Sequence, residues 1–195
     1  KFFSFKLSKE IKKKADLVIC NNVLAHVPNL IDFVKGLESL IKDKGVISIE
    51  FPHIKNLIEK VQFDTIYHEH YFYFSIICLR KIFDRYNLKI FDVEKINTHG
   101  GSLRVYLCKK NNSRTVTKKL QNILYEEKKF GLDKIKTYLK FKKKVIDLKH
   151  KSLKFINKCK IDKKKIHAYG AAAKGITFIN YLGIKRRDIN YIYDS

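Results

Sequence analysis

Two apolar runs of strand length, separated by one amphipathic helical pattern, constrain this chain more than anything else in it. Asp16-Leu-Val-Ile-Cys-Asn-Asn22 is a continuous apolar run closed by polar residues, the pattern of a buried parallel strand. From Asn29 to Lys44, Leu30, Phe33, Val34, Leu37, Leu40 and Ile41 recur at helical spacing, and Gly45 reads as the C-terminal stop. Gly45 to Phe51 then forms a second strand, VISIEF, which Pro52 ends. Strand, helix, strand with a connection of this length implies a right-handed parallel crossover, the repeating unit of a doubly wound sheet. Ligands of such sheets sit outside the carboxyl ends of the strands, where Asn21, Asn22 and His26 follow the first run. A capping role for Asn22 and His26 is the plain alternative.

The remaining patterns extend this unit in both directions. Lys1 to Phe5 read as the tail of a strand or loop, and Ser8 as the cap of a short basic helix through Lys14. Ile54 to Val61 suggest a short helix, and Ser75 caps a longer one to Asn87 with Ile76, Leu79, Ile82 and Phe83 facing inward. Leu88 to Ile96 and Ser102 to Lys109 read as an antiparallel pair that closes the sheet edge, joined through Thr98-His99-Gly100-Gly101. A hairpin turn or a close backbone approach to a ligand would each account for the two glycines. Ser113 to Lys158 is long, basic and helical, with Leu120, Ile123, Leu124, Ile135, Tyr138 and Leu139 as one stripe and Gly131 dividing it in two. Lys165 to Tyr169, the small-residue turn Gly170-Ala-Ala-Ala-Lys-Gly175, a helix through Leu182 and the run Ile189 to Tyr193 read as the start of a second Rossmann-like unit. There Lys174 would supply charge beside a helix N-terminus. The expected architecture is α/β: part of a Rossmann-like sheet in residues 1–112, a basic helical connector in 113–164, and a second such domain beginning at 165–195.

The net charge of +23 raises the question of nucleic acid. Lys and Arg outnumber Asp and Glu 21 to 5 in residues 109–165, against 17 to 12 in residues 1–108. The excess is therefore concentrated in one helical segment, and 36 of the 42 basic residues are lysine. That favours a solvated lysine-coated face over a groove that reads bases, which relies on arginine and interleaved aromatics. A basic nucleic-acid-binding module is kept as a rival, because lysine alone can hold a phosphate backbone. Cys20, Cys78, Cys108 and Cys159 are scattered with no C-x-x-C pair, which points to a reduced, cytoplasmic chain without a disulfide framework or structural zinc. No run of about 18 apolar residues suggests a membrane span.

Chemistry concentrates between Glu50 and Ser75, above all in Tyr67-His68-Glu69-His70. Groups that accept, donate or orient a proton stand together there among aromatics that exclude water, as a proton-transfer site requires. A metal site is the weaker reading, since the H-E-x-x-H spacing is absent and no cysteine lies close.

The blocks IEFPH, LIEK-x-QFDTIYHEH-x-x-YFS, HGGSLRVY and YGAAAKG, in that order, resemble the S-adenosylmethionine-dependent sugar C-methyltransferases that act on nucleotide-linked keto-sugars. The resemblance runs from about Phe2 to Asp194 and includes N-V-L-A-H, intact as Asn22 to His26. It implies a partial class I methyltransferase fold, S-adenosylmethionine as donor, a nucleotide-sugar substrate and no membrane. It also implies a glycine-rich cofactor loop and a four-cysteine zinc module upstream; neither is found in the chain, which reads as an internal fragment. On this reading His70 is the general base, Glu69 orients it or the sugar, and Tyr67 hydrogen-bonds the enolate oxygen, although His70 and Tyr67 could exchange roles. Asn22 and His26 position the substrate or assist proton transfer, while His99, Gly100, Gly101 and Lys174 face the sugar nucleotide. Asn21 and Asn22 are the candidates for contact with the cofactor. The rivals within this fold are a sugar-nucleotide-binding protein without turnover and a methyltransferase acting on oxygen or nitrogen.

Overall fold

The computed structural model describes residues 2–194. Its first part holds α1 (Phe5–Glu10), β1 (Ala15–Asn21), α2 (Leu30–Leu40), β2 (Ile41–Pro52), α3 (Ile54–Glu59), α4 (Ile76–Arg85), β3 (Leu88–Ile96) and β4 (Ser102–Lys109). Then come α5 (Lys118–Phe130), α6 (Ile135–Ile161), β5 (His167–Tyr169), α7 (Ala173–Leu182) and β6 (Tyr191–Tyr193). A four-stranded sheet in the order β1-β2-β4-β3 is parallel between β1 and β2 and antiparallel elsewhere, and β5 and β6 form a separate parallel pair. The α/β expectation, the crossover and the closing antiparallel pair are all present.

β2 is the central member of the core. Ile47, Ser48, Ile49, Glu50 and Phe51 are all buried, so both faces of the strand are covered. Phe33, Val34 and Leu37 of α2, Ile76, Leu79 and Phe83 of α4, and Leu120 and Ile123 of α5 complete one apolar cluster with it. Asn29 caps α2 by accepting from the Asp32 amide, and Ser75 caps α4 by accepting from the Cys78 amide, as the sequence suggests for Ser75.

Several local expectations are corrected. Ser4, not Ser8, caps the first helix; Ser8 is buried within it and donates to the Phe5 carbonyl. The part of the predicted strand tail at Lys1 lies outside the described residues. The helix after Asn29 ends at Leu40, and Gly45 lies inside β2, where a Cβ would come within 2.7 Å of the Ile41 side chain. Close packing, and not helix termination, therefore requires glycine there. β1 is paired on one side only: Cys20 faces the core, but Leu17 and Ile19 are 55% and 62% exposed. Ile135 and Leu139 are also exposed, because α6 buries only Val145 along its length while Tyr138 packs with Leu57, Ile58 and Leu132.

A buried carboxylate joins these elements. Glu127 of α5 is fully buried; it accepts from His53 Nε2 at 2.8 Å and from the Ile76 and Ile77 amides at 2.7 and 2.9 Å. With Ser75, it satisfies the first three amides of α4, whose partial positive charge favours a carboxylate. Replacing Glu127 with alanine leaves two buried donors and one part-buried donor unpaired, and we expect urea unfolding followed by circular dichroism to show a loss of about 3–5 kcal/mol. A loss below about 1 kcal/mol would show that these donors find other partners.

Candidate active site

At the carboxyl end of β1 and β2 the chain encloses a cavity of about 130 Å³. Asn22, His26, Tyr67, His70, His99 and Lys174 line it, with Ala25, Phe51, Pro52 and Thr65 as the remaining walls. The sequence candidates thus arrive from four separate stretches. Asn22 and His26 follow β1, Tyr67 and His70 lie in the loop after α3, His99 stands between β3 and β4, and Lys174 opens α7.

The two central imidazoles are held by backbone carbonyls. His70 Nδ1 lies 2.7 Å from the Thr65 oxygen, and His26 Nδ1 lies 2.9 Å from the Glu69 oxygen. A carbonyl can only accept, so each ring carries a proton on Nδ1, and in the neutral ring the lone pair then lies on Nε2. The rings lie 4.7 Å apart between centroids. The Tyr67 hydroxyl stands 3.5 Å from His70 Nε2, at the outer limit of a hydrogen bond. Burial, and secondarily the Glu69 charge, raises the Tyr67 pKa above the ordinary tyrosine value, so the phenol remains a donor.

The side chain of Glu69 is exposed and does not line the cavity; the residue acts on His26 through its backbone and on Tyr67 through its charge. His68 is likewise exposed. Asn21 is exposed at the end of β1. Asn22 contacts His99, with Nδ2 to Nε2 at 3.1 Å.

Gly100 and Gly101 adopt φ of 81° and 120°, conformations that favour glycine. The Gly100 carbonyl accepts from Lys60 Nζ, and the Gly101 carbonyl accepts from the His53 amide and Asn56 Nδ2. A Cβ would come within 2.2 Å of Gln62 at Gly100 and 2.3 Å of Asn56 at Gly101. Both glycines press the loop against the region around α3 and set the height at which His99 enters the cavity.

Three supports escaped sequence reasoning. Thr65 works through a carbonyl, which no side-chain pattern reveals. Glu50 is buried and accepts from Arg104 at 2.8 Å and from Thr98 at 3.0 Å, anchoring the residue before His99. Its acid at an inward strand position was a visible signal. Phe63 packs in tilted ring contacts with Phe178 and Tyr181 of α7, at 5.9 and 4.8 Å between centroids, on the helix that carries Lys174 to the cavity. Among the described residues no group of three His, Cys, Asp or Glu side chains is arranged to hold a metal ion, and no helix is long and apolar enough to cross a membrane.

Two family models match the chain: the methyltransferase domain over residues 3–93 and the C-methyltransferase C-terminal domain over residues 97–195. The C-methyltransferase NovU of Streptomyces niveus is 28% identical over 196 residues, covering 99% of this chain and 47% of that protein. The chain therefore spans about half the length of this curated relative. Among solved structures, magnesium protoporphyrin IX methyltransferase from Synechocystis PCC 6803 with bound SAH is 18% identical, with 52% of this chain and 48% of that one covered and a TM-score of 0.41. A SAM-dependent methyltransferase from Anabaena variabilis ATCC 29413 is 10% identical, with 54% and 53% covered and a TM-score of 0.36.

The carbonyl contacts predict that long-range nitrogen–proton NMR spectra at a pH where the rings are neutral will place the proton on Nδ1 of both His26 and His70. A proton on His70 Nε2 would contradict the assignment of that nitrogen as the basic one. The charge of Glu69 raises the Tyr67 pKa, so Glu69→Gln should lower it. Ultraviolet titration should then show phenolate forming at lower pH than in the unaltered protein, with Tyr67→Phe removing the shifted transition.

Proposed function

The chain belongs to the C-methyltransferase family whose C-terminal-domain model covers half of it, and on that premise we propose that the full-length protein methylates carbon beside the ketone of a nucleotide-linked deoxysugar. The observation that carries this reading is a pair of imidazoles, His70 and His26, each held through Nδ1 by a backbone carbonyl, at a cavity also lined by the Tyr67 phenol. Carbon becomes nucleophilic only after loss of a proton, and an amine acceptor has no such requirement.

His70 Nε2 takes the α-proton. The Thr65 carbonyl favours the tautomer that leaves this nitrogen basic and steadies the imidazolium that forms. Tyr67, kept protonated by burial, donates to the oxygen on which enolate charge develops. His26 stands beside His70 to position the sugar or pass the proton onward, and Lys174 supplies positive charge from α7 toward the anionic substrate. His99, Gly100 and Gly101 shape the sugar side of the cavity. The methyl donor we propose is S-adenosylmethionine, which supplies an electrophilic methyl group.

A second cavity of about 230 Å³, walled by Phe2, Phe3, Val23, Val27 and Pro28, shares His26 with the first. Its apolar walls suit part of a nucleoside, and Asn21 and Asn22, the residues just before Val23 in the chain, are the ones here that would hold the donor. In this reading residues 1–112 belong to the catalytic domain, 113–164 connect, and 165–195 begin a second domain; a nucleotide-linked substrate implies a cytoplasmic site of action.

The test is exchange of solvent deuterium into nucleotide-linked keto-sugars by the full-length protein, followed by the same mixtures with labelled S-adenosylmethionine. Enzyme-dependent exchange beside the ketone should fall by at least about 100-fold in His70→Ala and by a smaller factor in Tyr67→Phe. Label delivered to oxygen or nitrogen would overturn carbon methylation. Binding without exchange or transfer would leave a sugar-nucleotide-binding protein.

A further inference from the structure

We infer that Asn22 and His99 form a recognition pair for a hydroxyl or amino substituent on the sugar ring, with Asn22 Oδ1 as the acceptor. The inference rests on the nucleotide-sugar reading and adds a specificity determinant to it.

Both residues hold left-handed backbone, with φ of 54° at Asn22 and 50° at His99. Residues other than glycine are uncommon in that region, asparagine and histidine less so than most, and neither conformation persists unless its surroundings impose it. Here one residue, Glu50, anchors the chain at both places. The Asn22 amide donates to the Glu50 carbonyl at 2.9 Å, and the Glu50 side chain accepts from Thr98, the neighbour of His99, at 3.0 Å. The two side chains then meet across 77 positions of sequence at 3.1 Å.

That contact decides the polarity of the pair. Asn22 Nδ2 is a donor, so His99 Nε2 accepts with its lone pair and the ring proton sits on Nδ1. Asn22 Oδ1 is left over. It is shielded from solvent and has no hydrogen-bond partner among the described residues, in a structure where the other buried side-chain polar atoms of those residues are satisfied. A buried acceptor of this kind is stripped of water before any ligand arrives, so an incoming donor recovers a hydrogen bond with little competing hydration.

Asn22 lines the cavity that contains His70 and Tyr67, and its volume of about 130 Å³ suits a single sugar ring, not a whole nucleotide. The donor that reaches Oδ1 is therefore a ring substituent, separate from the ketone oxygen assigned to Tyr67. Hydroxyl and amino groups share the chemistry required. A deoxy analogue lacks it.

Calorimetric binding to the full-length protein without methyl donor tests this, using nucleotide-linked sugars that carry the ring hydroxyls, an amino replacement, or a hydrogen at each ring position in turn. One deoxy analogue should bind roughly 10–100-fold more weakly than its hydroxylated parent, the size of one buried hydrogen bond. Asn22→Gly, which accepts the φ without strain, should reduce that discrimination to less than about 3-fold. Asn22→Asp, which retains an acceptor, should preserve it. The amino analogue, if it matches or exceeds the hydroxylated parent, identifies nitrogen as the natural donor. Discrimination that survives Asn22→Gly, or equal weakening of every ligand by that change, overturns the inference while leaving the proposed function standing. Failure of the unaltered protein to bind any nucleotide-linked sugar overturns both.

Discussion

The carboxylate of Glu127 is the contact on which the rest of this structure depends. A charge so fully enclosed survives only when each oxygen is matched by donors, and here an imidazole and two helix-terminal amides supply them. The arrangement joins α5, the start of α4 and the end of β2 at one point. His53 extends the connection. Its amide donates to the Gly101 carbonyl, and the next amide, of Ile54, donates to Phe74. The glycine loop that presents His99 and the segment that ends the Tyr67–His70 loop are thus referred to one buried ion.

The cavity inherits its rigidity from this frame, not from its own side chains. His70 and His26 are aimed by backbone carbonyls, and His99 by a loop clamped between Glu50 and the α3 region. Carbonyl oxygens can only accept, so each contact requires a proton on Nδ1 of the ring it holds. Helix α7 attaches at a different place, through the packing of Phe63 with Phe178 and Tyr181, two residues before Thr65.

Legibility differed by the range of the interaction involved. The helical stripe of α2, the capping serine of α4 and both strands of the antiparallel pair follow from local periodicity and were readable to within a few residues. Gly45 shows the limit of that approach. Glycine after an apolar helix has the form of a stop, yet its place inside β2 comes from the approach of Ile41 and Ala15. The exposed face of β1 shows the same limit, because an apolar run cannot report whether a layer covers it.

Sequence alone determined the main helices and strands and the concentration of basic charge in the long helices, since these depend on residue identity and short-range spacing; of the site candidates it offered, Asn22, His26, Tyr67, His70, His99 and Lys174 line the cavity, whereas Asn21, Glu69, Gly100 and Gly101 do not. Tertiary structure decided which atom of each residue is held and which is left over: Nδ1 of His70 on the Thr65 carbonyl, the backbone and not the carboxylate of Glu69 on His26, and the unpaired oxygen of Asn22 beside its contact with His99. Those choices are made by partners 5, 43 and 77 positions away, and only the folded chain brings such partners to hydrogen-bond distance.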